Sequence, residues 1–475
     1  ATANNMSGAA TARAGVGDGA AVRGLDDGNG EALQIGGSAT NGLRFEAVSN
    51  LDAQAITVED QAEAYAGSET ADGSGVATLE SDVAALHTSA VKVGGSAGTI
   101  SATTTSNLTA TAQTNGTDNG NQDAIAQVAQ EADGLVNSAV TVGYDGNVNA
   151  TSTLNGTAIA SNIGQTETDV DDAIARLTLD ANGIEQDRAS DDIRVGADGN
   201  VSGRSFLDGG ATAEAINGAA TTTADLDSAG IRLDDADADI SIGQAGNITG
   251  LSVLGKLTDG TFTDQIDLIA TTVAETATVT SRFNGDGVRG TDADDTAGNQ
   301  TVLQAGGSAG NITGQALGGG RLVATSTGDA SLQGRDPDAT ATATLETSEL
   351  AGLRDVDLFG GQAGANTIKG SSYGDFDTYA TSTKGDAIGS ADVDAYGIYD
   401  ANGDGRLRTS GNVQAIATLT NTVIATTVSG NAEASASSDA VGISGYDVEI
   451  LGGGSLIANA TSSSSASSTS VSGRA

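Results

Sequence analysis

The chain of 475 residues has no cysteine, no tryptophan, one proline (Pro337), one methionine (Met6) and one histidine (His87). Without cysteine there is no disulfide and no thiolate metal site. With a single histidine, a Ser-His-Asp triad would depend on His87, and no G-x-S-x-G elbow accompanies it. Histidine-based zinc sites fall away for the same reason. Aromatic residues make up 3% of the chain, and the 38% hydrophobic content is largely alanine, so a thick core cannot be filled. A thin core of small and β-branched residues is what remains. No run of 18 or more apolar residues occurs, so no transmembrane helix is expected. The chain starts at Ala1 rather than Met, which fits a mature form with a secretion signal removed.

Positive charge is also scarce. Lys and Arg together number 20 against 62 Asp and Glu, for a net charge of −42. Such a surface repels nucleic-acid phosphates and anionic membranes and attracts cations. Neither nucleic-acid binding nor membrane insertion is expected. Self-repulsion is screened beyond about 8 Å at physiological ionic strength and about 3 Å at 1 M salt, so a saline, extracellular setting suits the chain.

Glycine is abundant, at 68 residues, about twice the usual share, and it punctuates a repeat. The phrase AGNITG occurs at residues 245–250 and again at 309–314. It belongs to a longer, degenerate phrase: apolar–x–apolar–Gly, a polar turn, then an aliphatic residue. The aliphatic positions are Leu43, Ile100, Val148, Val201, Ile248, Ile312, Ile368, Val413 and Leu456. They mark nine copies of roughly 50 residues. Within copies, pairs such as Val140/Val142, Ile193/Val195 and Ile240/Ile242 alternate with period 2, as on one face of a strand. Each copy also carries Gly-aliphatic dipeptides, such as Gly183-Ile184 and Gly230-Ile231, and an Ala/Thr alternation, as in residues 339–345. AGNITG therefore reads as a corner plus the start of the next strand.

These signals predict an all-β chain, a parallel β-helix or β-solenoid of about nine repeats. Residues 1–32 read as an irregular segment and candidate assembly arm, 33–460 as the solenoid, and 461–475 as a Ser-rich tail or last coil. Strands of five to seven residues would give two coils per copy. About twenty coils at ~4.8 Å then make a rod on the order of 100 Å. Residues 123–132 and 79–87 also fit short helices, since their alanine spacing serves either period.

Runs such as ISIGQAGNITG and IRVGADGNVSG, followed by Ala/Thr/Ser alternation, resemble the repeat-rich secreted proteins of marine cyanobacteria and, more loosely, bacterial β-solenoid adhesins. The resemblance covers about residues 33–470. It implies a right-handed β-helix or related solenoid, export and a structural or surface role. It transfers no functional residue.

One motif points to a metal. In YDANGDGRL, residues 399–407, Asp400, Asn402 and Asp404 alternate before Gly405 turns the chain. This resembles the first half of an EF-hand or dockerin loop, whose oxygens at positions 1, 3 and 5 converge on calcium. Position 12 is Gly411 rather than Glu or Asp, so another segment must complete the shell, or the stretch is a plain corner. The acidic runs at 233–239 and 291–295 read as solvated loops. The reading is a non-enzymatic, secreted subunit of an extracellular filament or surface layer, polymerising with itself head to tail. The alternatives are an adhesin or spacer binding glycans and, from another class, a polysaccharide-active β-helix enzyme. An adhesin tip would use Tyr373, Phe376, Tyr379 and Tyr396. An enzyme needs a localised basic cleft, which the scattered arginines do not supply.

Overall fold

The structure is a computed structural model that describes residues 1–5, 8–15, 19–23, 31–58, 60–67, 82–115, 122–163, 171–188, 192–234, 238–258, 261–291, 301–305, 309–328, 339–361 and 366–474. It is all-β: 78% of the described residues are in strands and none is in a helix. The two stretches that also fit helices are strands, Ala124–Val136 and Asp82–His87, with residues 79–81 outside the described set. Their alanine spacing does not decide between the two periods, and parallel neighbours on both edges do.

The chain winds through three sheets in a fixed order: a long strand of the first sheet, a long strand of the second, then a short strand of the third. One coil, for example, is Gly146–Asn162, Ala173–Gln186 and Ile193–Val195. All neighbours within the three sheets are parallel. The nine aliphatic positions of the repeat stack in one column, Leu43 on Ile100, Val148, Val201, Ile248, Ile312, Ile368, Val413 and Leu456. The two AGNITG phrases lie side by side, residue on residue. Their asparagines belong to a ladder in which Asn200 donates to Asn147 at 2.9 Å, Asn247 to Asn200 at 2.7 Å and Asn311 to Asn247 at 2.7 Å. The phrase builds structure.

Each copy therefore makes one coil, not two. In the first two sheets the strands expected at five to seven residues are mostly far longer: Thr99–Thr114 has 16 and Ala173–Gln186 has 14. The reason lies in side-chain size. Inward residues are mostly Ala, Ser, Thr and Gly, so facing sheets come close and a wide, flat cross-section is filled without bulky groups. Nine coils at ~4.8 Å rise on the order of 43 Å, less than half the expected rod. The longest spacing, between Ile248 and Ile312, holds an inserted antiparallel hairpin, Lys256–Thr258 with Thr261–Asp264, which splits a first-sheet strand into Ala245–Leu254 and Ile266–Thr272.

Closest approach of the first two sheets occurs at the Gly-aliphatic dipeptides. A Cβ on Gly183, Gly230, Gly287 or Gly352 would strike the backbone nitrogen of Arg204, Leu251, Gln315 or Ser371. A Cβ on the facing Gly203, Gly250, Gly314 or Gly370 would strike a carbonyl oxygen of Gly230, Gly287, Gly352 or Gly397. This waist divides the interior into two cores. One is rich in Ala and Leu, with Phe283 against Phe376. The other is richer in Val and Ile, with Leu and Ala among them, and is backed by the third sheet. Beside the waist, Thr104 and Ser205 of the first sheet donate to carbonyls of Asp133 and Ala181 in the second, at 2.6 Å each.

Acidic residues serve the corners. Asp145 accepts the backbone N–H of Asp198, Asp198 that of Ala245, Asp192 that of Asp239, and Asp239 that of Val302. Each carboxylate thus pairs an N–H that the next corner would otherwise leave to solvent.

Gly250→Ala places a methyl group against the Gly287 carbonyl and 2.6 Å from Val288 Cγ2. Overpacking of this kind costs about 1–3 kcal/mol. The guanidinium unfolding midpoint should fall for Gly250→Ala and hold for Gly36→Ala, where nothing lies within 4 Å of the new carbon. Equal midpoints for the two variants would contradict the waist.

Candidate functional sites: coil ends, a corner and a charged furrow

The two ends of the stack have different outlines. At the C-terminal end, Leu456–Ser470 of the first sheet pairs with Asn412–Thr427 on one edge and with no described strand on the other. Its inward face is open as well, with Leu456 50% exposed. It stands one layer beyond Ala432–Ser444 and Tyr446–Ile450, the last strands of the other two sheets. At the N-terminal end, Ala10–Ala14, Gly19–Arg23 and Glu31–Ile35 complete a layer of the second and third sheets. The first sheet of that layer holds only Thr2–Asn5, paired with residues 54–57. Above residues 43–51 no described strand lies. Among its described residues, the segment expected to be irregular, 1–32, thus carries three strands and the start of a fourth, because its short runs find parallel neighbours. The Ser-rich end is a last coil.

At the 399–407 corner, Asp400 is buried and its Oδ1 accepts the backbone N–H groups of Asn402 at 3.0 Å and Gly403 at 2.7 Å. Gly403 has φ +81°, a left-handed turn that glycine accepts freely. Asn402 and Asp404 are exposed. The three residues picked from sequence share one corner, with Asp400 turned inward as its acceptor. His87 ends a strand with Nδ1 2.8 Å from the Thr88 hydroxyl. The aromatic stretch does not form one patch. Phe376 is buried in the core, Tyr373 and Tyr379 lie on the first sheet, and Tyr396 stacks on Tyr399 in the second at 4.1 Å.

The feature that sequence reading missed is a furrow on the outer face of the second sheet. Strand alternation breaks at the waist glycine, so outward side chains on its two sides turn toward each other. In the strand Ala173–Gln186, Asn182 donates to both Asp180 at 3.1 Å and Glu185 at 2.8 Å. Parallel stacking draws this into three columns. One bank is Glu131, Asp180, Asp227, Asn284, Glu349 and Asp394. The floor includes Asp133, Asn182 and Asp286, and the other bank includes Glu185, Arg232, Arg289 and Arg354. Arg232 pairs with Asp180 at 3.0 Å and Asp234 at 2.7 Å, and Arg354 with Glu349 at 3.0 Å. The signal was present as residues at equal offsets from each Gly-aliphatic dipeptide.

Burial dominates the protonation of these acids. It pushes Asp180 up to about 7, helped by the neighbouring Asp227 and opposed by Arg232. Glu185 is pushed well above the carboxylate range by burial, then by Asp180 and Glu131. Asp286 reaches about 7 through burial, with Arg354 and Arg289 opposing and Asp227 and Glu349 assisting. Its oxygens have no hydrogen-bond donor, and both arginines stand 3.9–4.0 Å away, shared with other acids. Comparison with known proteins finds no matching family, no matching curated protein and no matching solved structure.

A carboxyl with a folded pKa near 7 and an unfolded one near 4 binds its proton more tightly in the folded state. Its contribution to stability is present at low pH and is lost as pH rises through 7. The thermal midpoint should be higher at pH 5 than at pH 8, and Asp286→Asn should shrink that difference, mainly by raising the midpoint at pH 8. An unchanged difference would mean that the two arginines keep Asp286 ionised throughout.

Proposed function

We propose that the chain is a non-enzymatic structural subunit that stacks end to end into an extracellular filament or surface layer. The observation that carries this reading is the complementarity of the ends. Leu456–Ser470 is a first-sheet strand with no described second- or third-sheet strand in its own layer, and in the N-terminal layer the described first-sheet strand is Thr2–Asn5, over residues 54–57. Seated in the same register, residues 456–466 of one copy lie over residues 43–53 of the next. Residues 466–470 compete, with Ala1–Asn5, since Ala1 bonds to the backbone of Asp52 and Gln54. Unpaired strand edges recruit such partners, and a head-to-tail contact that does not close propagates as a fibre. The charge of −42 opposes lateral clumping and is screened at the salt strength of an extracellular fluid.

Calcium at the 399–407 corner belongs to the same reading. The exposed Asn402 and Asp404 offer oxygens to an ion beside the third sheet. Calorimetric titration at millimolar calcium should show an event that Asp404→Ala removes; identical heats in the two proteins would end this part of the reading. A second reading, glycan binding, rests on a trough of about 460 Å³ on the first sheet, lined by amides and hydroxyls such as Asn149, Asn200 and Thr313 between Arg204 and Lys369.

Removal of residues 456–470 should abolish or shorten filaments seen by negative-stain microscopy while leaving the β-sheet circular dichroism intact. Removal of residues 1–5 should preserve or promote them by freeing the contested positions. Filaments unchanged by the first deletion, or lost on the second, would refute this joint.

A further inference from the structure

We propose that the first-sheet trough binds a polysaccharide bearing widely spaced carboxylates, with Arg204 and Lys369 each holding one of them. The inference rests on the second reading above, glycan binding, and adds the class of glycan. The trough, of about 460 Å³, lies on the outer face in the middle of the sheet, away from both ends of the stack. It runs across coils, from the strand Gly146–Asn162 to the strand Thr367–Ser382.

Among the described residues that line it, none is acidic and none is aromatic. In a chain with 62 Asp and Glu this is a local exception. Its two cations are exceptional as well. Elsewhere on the sheets arginines are held by acids, as Arg282 by Asp225 at 3.0 Å, Arg321 by Asp267 at 3.2 Å and Arg408 by Glu449 at 3.1 Å. Arg204 instead stands in register between Thr151 and Leu251, and Lys369 between Thr313 and Gln414. Among the described residues neither has an acid partner. Arg204 is exposed and Lys369 half-buried, so both can meet an anion without giving up an ion pair. Arg204 brings the planar fork that grips a carboxylate through two parallel bonds, and Lys369 brings a point charge.

Hydrogen bonds fill the space between. In the ladder, Asn200, Asn247 and Asn311 each give one amide hydrogen to the asparagine of the preceding coil. A carboxamide nitrogen carries two, so each keeps one donor for a ligand. The hydroxyls of Thr249 and Thr313 stand in the adjoining column. With no aromatic ring to take the face of a neutral sugar, the trough offers charge and hydrogen bonds. The cations are three strands apart in the stack and two residues apart along the strand, which sets their backbones roughly 16 Å apart. A single sugar cannot reach both. That spacing suits a polymer with many hydroxyls and sparse charge rather than a nucleic acid, with a phosphate at every nucleotide. Repulsion from the rest of the chain is screened beyond about 8 Å at physiological ionic strength, whereas the two cations act at contact.

The test is calorimetry of the full chain in calcium-free buffer at physiological ionic strength. The probe is a hyaluronan oligosaccharide, with one carboxylate per disaccharide, long enough to reach both cations. Its carboxyl methyl ester is the neutral control, and polyglutamate is the charged control without sugar. The acid should bind the wild type, and esterification, Arg204→Gln and Lys369→Gln should each weaken binding by about tenfold or more, the loss of a charge-assisted contact. If the ester binds as tightly as the acid, the trough takes glycans without regard to charge, and this inference fails while the glycan reading stands. If neither binds, both fail. Polyglutamate binding as tightly as the oligosaccharide, or both variants binding like the wild type, would overturn the site.

Discussion

Two sheet backbones meet at a column of glycines, and most of the cross-section follows from that approach. Because a Cβ at Gly230 or Gly250 would run into the facing chain, the sheets touch there and separate on either side. One side becomes the Ala/Leu core and the other the Val/Ile core. The same contact breaks strand alternation, brings buried hydroxyls such as Ser205 to opposite carbonyls, and turns outward residues toward each other. The furrow with its acidic and basic banks is the outer consequence of an inner close contact.

Parallel stacking in register repeats each choice coil after coil, for better and worse. Repeated asparagines become a hydrogen-bonded ladder, and repeated corner aspartates pair the N–H groups of the next coil. Repeated acids in one column repel, at strand spacing. The furrow answers this partly with arginines in the adjacent column, at Arg232, Arg289 and Arg354. Where the column holds Glu185 instead, burial and then the neighbouring Asp180 and Glu131 favour its protonated form.

The sequence made the stack legible because its spacing is its register: the nine aliphatic positions chosen by pattern are one physical column. It hid the coil length, since Ala/Thr alternation carries no mark of where a strand of 16 residues could have been three short ones. The Gly-aliphatic dipeptides were plain, but their meaning lies in which backbone they face across the interior. Asp400, Asn402 and Asp404 were found as a local motif and do share a corner. Asp133, Asn182 and Glu185 come from two coils, and only the pairing of Asp133 with Asn182 brings them together. Phe376, read as part of a surface cluster, is in the core, since a strand sends alternate residues to opposite sides.

If, as proposed, Leu456–Ser470 of one copy pairs with residues 43–53 of the next, adjacent subunits share one layer of that sheet. The subunit then advances by nine strand spacings rather than ten. Cryo-electron microscopy or fibre diffraction of the assembled chain should show a 4.8 Å spacing along the filament and a subunit repeat of about 43 Å. A repeat of about 48 Å would mean ends that abut without interleaving, and strands running other than across the filament axis would contradict the stacking altogether.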